Sequence, residues 1–68
     1  MNEGHTMNVY QVELAIHFNN LWSIMLMEVN AIREDYAILQ ALGDARGMLF
    51  PAVDLSVNGC TYLYPVEG

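Results

Sequence analysis

Few side chains in this sequence could carry out chemistry, and their spacing matches no familiar catalytic or metal-binding arrangement. Cys60 is the only cysteine, and the two histidines, His5 and His17, are far apart in the sequence. A structural zinc site uses about four ligands at short, characteristic spacings, so we expect neither a metal nor another cofactor. To act as a nucleophile, Cys60 would need a nearby base and a depressed pKa. We therefore expect a cysteine that packs as a small apolar residue, in a protein that is not an enzyme.

The acidic pair Glu34 and Asp35 is also a weak candidate for catalysis. Adjacent residues on a helix point about 100° apart, so the two carboxyl groups cannot share one site as an acid and base. The neighbouring stretch GDARG has two glycines but lacks the lysine and the spacing of a phosphate-binding loop. A solvent-exposed helix face is the simpler interpretation.

The length of the chain favours association. With 68 residues, the chain buries only about 60% of its unfolded surface. Domains of this size usually need disulfides, metal or other chains for stability. Because a single cysteine cannot form an internal disulfide, we expect the protein to associate with itself or with a partner.

Charge restricts the kind of partner. Eight acidic residues face two arginines and no lysine, which gives a formal net charge of -6. This balance opposes direct binding to nucleic acid, which needs cations, and docking on anionic lipid. It favours attraction to basic protein surfaces.

The sequence predicts a cytoplasmic protein without a membrane span. The start, MNEGHTMN, lacks the basic region and apolar run of a signal peptide, and a lone cysteine suits a reducing compartment. The longest apolar run, from Leu21 to Val29, is about half of the ~20 residues that a membrane helix needs.

Residues 1–6 are predicted to form a flexible tail, and residues 7–68 a single small domain. From Met7 to Phe18 the residues alternate between apolar and polar, which predicts a half-buried β-strand. One side of this strand would carry Tyr10, Val12, Leu14, Ile16 and Phe18, and the other Gln11, Glu13, Ala15 and His17.

The C-terminal stretch VDLSVNGCTYLYP predicts a β-hairpin. Asn58 and Gly59 separate two alternating runs, and such a pair favours a type I′ turn. The expected cross-strand pairs are Val57 with Cys60, Leu55 with Tyr62, and Val53 with Tyr64. The opposite face would carry Asp54, Ser56, Thr61 and Leu63.

The segment 21–42 allows two interpretations. As one long helix ending at Gly43 as a left-handed C′ residue, it has an apolar stripe of Leu21, Met25, Val29, Ile32, Tyr36 and Leu39. Alternatively, residues 21–29 form a second strand, joined to the first through Asn19 and Asn20, and residues 31–42 form a short helix. The first interpretation gives the order β-α-β-β and the second β-β-α-β-β. Both predict an α+β fold with a helix on one face of a small antiparallel sheet.

Under either interpretation, more apolar surface is present than one small sheet can cover. The long helix would have a second apolar flank formed by Ile24, Met27, Ala31, Ile38 and Leu42. In the alternative, Trp22, Ile24 and Leu26 would point away from the helix. Exposed apolar patches usually mark interaction sites, so the sequence predicts a protein contact or a homodimer through this surface.

Two functions fit these observations. The first is a non-enzymatic inhibitor that occupies a basic, nucleic-acid-binding surface of a target protein, as phage-encoded antagonists of host defence (anti-CRISPR proteins among them) do; this is an analogy of size and charge without a shared motif. The second is a homodimeric structural or accessory subunit of a larger complex. The predicted partner-binding residues are Gln11, Glu13, His17, Trp22, Ile24, Met27, Glu28, Asp35, Ile38 and Asp54.

Overall fold

The computed structural model describes residues 7–48 and 54–66. It contains three strands, β1 (Asn8–Phe18), β2 (Leu21–Ala31) and β3 (Asp54–Pro65), and one helix, α1 (Glu34–Met48). The strands form one antiparallel sheet in the order β2-β1-β3. The predicted α+β class is confirmed, and the element order β-β-α-β follows the alternative interpretation, with one C-terminal strand in place of two. The predicted tail at residues 1–6 lies outside the described residues.

A two-residue turn at Asn19 and Asn20 joins β1 to β2. Both residues have positive φ, 55° and 63°, as a type I′ turn requires, and asparagine tolerates this conformation better than most residues. From Phe18↔Leu21 to Asn8↔Ala31 the two strands pair without a register shift. The long helix over residues 21–42 is therefore wrong, because a tight turn lets the whole of β2 pair with β1.

The predicted hairpin at Asn58 and Gly59 is also wrong, because β3 continues through both residues. Glu13 pairs with Gly59 and Leu14 with Val57, so Asn58 is an extra residue at a bulge. A bulge and a two-residue turn change the alternation of side chains in the same way. The predicted division into faces consequently holds for most of β3, although its predicted pairing does not. Val53 lies outside the described residues.

Helix α1 contacts the sheet through alanines. Ala37, Ala41 and Ala45 are fully buried, whereas Tyr36 and Leu39 are exposed. The predicted stripe containing Tyr36 and Leu39 is thus wrong, because the small alanine side chains are the ones that face the sheet. Gly43, the predicted C′ residue, lies inside the helix. Acidic residues in the first turn and Arg46 in the last complement the helix dipole.

The core lies between α1 and one face of the sheet. Val12 and Leu14 of the central strand are fully buried and belong to one cluster with the helix alanines. A 15-residue helix is about 22 Å long, whereas an 11-residue strand is about 37 Å long. The β2 residues that belong to or pack against this cluster are Met25, Met27, Val29 and Ala31. The helix therefore covers only this part of β2, and the end of the sheet at the Asn19–Asn20 turn extends past it. The molecule is accordingly elongated, with a longest dimension of 49 Å.

Candidate protein-binding face

The side of the sheet opposite α1 has no element of the described chain packed on it, and we call it the open face. Strand alternation and the observed register determine its members. They are Val9, Gln11, Glu13, Ala15 and His17 of β1, Trp22, Ile24, Leu26, Glu28 and Asn30 of β2, and Asp54, Ser56, Gly59, Thr61 and Tyr64 of β3.

Three large apolar side chains follow one another on the open face of β2, and we call them the β2 apolar row. They are Trp22, Ile24 and Leu26, with 66%, 57% and 57% of their surface exposed. Each is two residues from the next, so all three project from the same side of the strand. Such exposure of neighbouring large side chains is characteristic of an interaction surface.

The charge on the open face is all of one sign. Its carboxylates are Glu13, Glu28 and Asp54, and the three strands contain neither lysine nor arginine. Glu13 is opposite Leu26 and Gln11 is opposite Glu28, which makes Glu13 and Glu28 diagonal neighbours about 7–8 Å apart at their Cα atoms. Such closely placed like charges repel each other, and a cation between them would relieve the repulsion.

His17 lies in the middle of a row of side chains that crosses the open face. Its ring stacks on the Trp22 indole, with centroids 4.4 Å apart and planes 16° from parallel. On its other side, Nδ1 lies 3.8 Å from Oδ2 of Asp54. Trp22, His17 and Asp54 thus connect the β2 apolar row to the carboxylate on β3, so apolar and acidic groups form one surface.

Seven of the ten predicted partner-binding residues lie on the open face. They are Gln11, Glu13, His17, Trp22, Ile24, Glu28 and Asp54. The other three, Met27, Asp35 and Ile38, lie elsewhere.

The structure separates the residues of the predicted helix flank. Ile24 and Met27 point to opposite faces of β2, because residues three apart on a strand do so. Met27 packs against the core, and Ile38 lies on α1. Asp35 accepts hydrogen bonds from the guanidinium of Arg33 at the start of the helix. The single apolar flank is therefore wrong.

Leu26 is one of the open-face residues that the predicted site omitted, and Asn58, the extra residue at the bulge in β3, also contributes to this face. Leu26 falls on the polar side of the long helix, and only the alternative interpretation, in which Trp22, Ile24 and Leu26 alternate along a strand, placed it away from the helix. Asn58 was assigned to a turn. In the structure its Nδ2 donates a hydrogen bond to Oε2 of Glu13 at 3.2 Å, which holds this carboxylate on the open face.

Cys60 faces the helix side of the sheet and is half-buried. Burial, and to a smaller extent the Glu34 carboxylate, raises the pKa of its thiol. The thiol therefore stays protonated, which is the unreactive form. Among residues 7–48 and 54–66, no three histidine, cysteine, aspartate or glutamate side chains lie together as metal ligands would.

No helix in the described part of the chain is long and apolar enough to cross a membrane. Comparison of the chain with family models, curated proteins and solved structures gives no match. The open face is therefore interpreted from its own geometry and charge.

Proposed function

We propose that this protein is a non-enzymatic binding module whose open face docks on a basic surface of a partner protein. The proposal further holds that this surface normally binds nucleic acid, so that docking inhibits the partner. One observation carries it: the β2 apolar row lies beside three carboxylates on a face without lysine or arginine. Apolar contact would provide burial, and the carboxylates would select a partner with cationic groups around an apolar patch.

Charge opposes a second copy of the chain as the occupant of this face. Packing two open faces against each other would bury Glu13, Glu28 and Asp54 of both copies in an interface to which the strands contribute no lysine or arginine. Burying carboxylates without cationic partners is expensive. A basic partner surface avoids this cost and would replace the nucleic-acid phosphates that such a surface otherwise attracts.

The experiment compares two variants that change the net charge equally on different surfaces. The first neutralises the open face with Glu13→Gln, Glu28→Gln and Asp54→Asn. The control neutralises the helix with Glu34→Gln, Asp35→Asn and Asp44→Asn. Both raise the formal charge by three, so a difference between them reports the surface and not the total charge.

Each variant and the wild-type protein are immobilised, and bacterial lysate is passed over them with and without added DNA or RNA. We expect the wild type and the helix variant to retain the same basic protein and to lose it in the presence of nucleic acid. We expect the open-face variant not to retain this protein. The purified partner should then bind the wild type in a saturable manner. Equal retention by both variants, or retention that nucleic acid does not affect, would refute the proposed function.

A further inference from the structure

We infer that two copies of this chain pair along the outer edge of β2, forming a continuous six-stranded sheet. The order would be β3-β1-β2-β2-β1-β3, with both open faces on one side and both helices on the other. This inference concerns the edge of the sheet and is independent of what the open face binds.

The two edges of the sheet differ in how they resist pairing. β3 contains two register shifts and ends in Pro65, and bulges and proline are features that protect an edge from further strands. β2 has neither feature: it pairs with β1 over eleven consecutive residues without a shift. Its single charged residue is Glu28. A long, regular, mostly apolar edge of this kind favours pairing with another strand.

The turn determines which backbone groups of β2 face outward. Residues that flank a two-residue hairpin turn form a hydrogen-bonded pair, here Phe18 with Leu21. Odd-numbered residues of β2 therefore bond to β1. Trp22, Ile24, Leu26, Glu28 and Asn30 direct their N–H and C=O groups outward, where a second strand can bond to them.

A two-fold axis at Met25 makes this edge self-complementary. Ile24 of one copy then lies opposite Leu26 of the other, and Trp22 lies opposite Glu28. The two Glu28 carboxylates are six residues apart along the strands, about 20 Å, which is well beyond the Debye length of about 8 Å at physiological salt. The acidic chain can therefore pair with itself here without placing carboxylates side by side.

The same axis accounts for exposed apolar residues on the helix side of the sheet. At the end of the sheet past α1, Phe18 and Leu21 are 46% and 69% exposed. Leu21 would lie opposite Val29 of the second copy, the part of β2 that the second copy's helix covers. Pairing would thus bring the helix of each copy next to the end of the other copy's sheet, which that other copy's helix does not reach.

The first test substitutes matched residues on the two edges. Leu26→Glu adds a carboxylate to the β2 edge, and the control Tyr64→Glu adds one to β3 on the same face, at a side chain of similar exposure. By sedimentation at micromolar concentration, we expect wild type and Tyr64→Glu to have twice the monomer mass and Leu26→Glu the monomer mass. A monomeric wild type at every concentration up to the millimolar range would overturn the inference. A Leu26→Glu protein that remains dimeric would show that the dimer uses another surface.

The second test addresses the backbone directly. Ile24→Pro removes an outward N–H that the monomer does not use, and proline is tolerated at such edge positions, so circular dichroism should stay close to that of the wild type while the dimer is lost. Hydrogen exchange gives the same readout without a substitution. The amides of Ile24 and Leu26 should become protected as concentration rises, whereas those of Met25 and Met27 should be protected at all concentrations. Fast exchange at Ile24 and Leu26 at high concentration would exclude the edge, whatever the open face binds.

Discussion

Asn58 donates a hydrogen bond from Nδ2 to Oε2 of Glu13, and the bond links the bulge in β3 to a carboxylate in the central strand. Asn58 is the extra residue at the point where the register shifts between Glu13 and Leu14. The bulge allows Val57 and Cys60 both to face the helix. In a regular strand, two residues that are three positions apart would point to opposite faces. The bulge thus keeps Leu55, Val57, Cys60 and Tyr62 on the same face of β3.

Gly59 distinguishes the bulge from the turn that the sequence suggests. None of the described glycines has positive φ, and a Cβ added at Gly59 would have no atom within 4 Å. Gly59→Ala should therefore stabilise the protein by about 0.4–1 kcal/mol, because it restricts the unfolded chain. In a type I′ turn the same change would destabilise, since alanine disfavours positive φ. Urea denaturation of the variant decides between the two.

The turn at Asn19 and Asn20 should be destabilised by a residue that disfavours positive φ. Asn19→Val places a β-branched residue at a φ of 55°, and we expect a loss of about 1–2 kcal/mol in the free energy of unfolding. Asn30→Val is the matched control, because Asn30 lies exposed in an extended strand that suits valine. Equal effects of the two substitutions on the urea midpoint would contradict the assigned turn.

Local patterns predicted the faces of the sheet better than they predicted its connections. The alternation in β1 correctly separated Tyr10, Val12 and Leu14 from Gln11 and Glu13. In β3 the pattern was ambiguous, because a hairpin and a bulge give the same alternation. Pairing along the whole of the central strand favours the bulge, and this long-range contact is not visible in a local pattern.

Long-range pairing also decided the structure of segment 21–42 and the membership of the candidate site. An apolar residue at every third or fourth position suggested a long helix, but pairing with β1 overrode helix propensity. The open-face positions of Glu13 and Asp54 followed from strand alternation alone. The placement of Leu26 depended on the alternative interpretation, in which residues 21–29 form a strand, and the structure confirms a strand there.

The alanine face of α1 should tolerate no larger side chain. Ala41 is fully buried against the sheet, so Ala41→Leu should destabilise the protein by about 1–3 kcal/mol through overpacking. The comparison is Gly43→Ala, at an exposed helix position with open space around the added Cβ. That substitution should stabilise by about 0.5–1 kcal/mol. Thermal unfolding followed by circular dichroism measures both, and tolerance of Ala41→Leu would contradict the close helix–sheet contact.

The Cys60 thiol should be slow to react and should couple stability to alkaline pH. Its pKa is raised by burial and then by Glu34, so the folded chain retains the proton at a pH where the unfolded chain has lost it. The resulting stabilisation is complete below the unfolded pKa and is lost as pH rises through the folded pKa. Iodoacetamide should therefore modify folded protein more slowly than urea-unfolded protein at mildly alkaline pH, and Glu34→Gln should accelerate the reaction. Modification at the unfolded rate would contradict the half-buried position of the thiol.

The final prediction separates the two components of the open face once a partner is in hand. Replacing Glu13 and Asp54 with lysine reverses charge at two positions, and this should slow association with a basic partner while dissociation changes less, because exposed charges mainly steer the encounter. The effect should shrink as salt rises, since screening already weakens the steering. Trp22→Ala should do the opposite: it removes an apolar contact, so dissociation should accelerate at every salt concentration. Surface plasmon resonance over a salt series measures both rates, and circular dichroism checks that the fold is retained. If charge reversal left the association rate unchanged at low salt, the carboxylates would be ordinary solvated groups, and the β2 apolar row alone would account for binding.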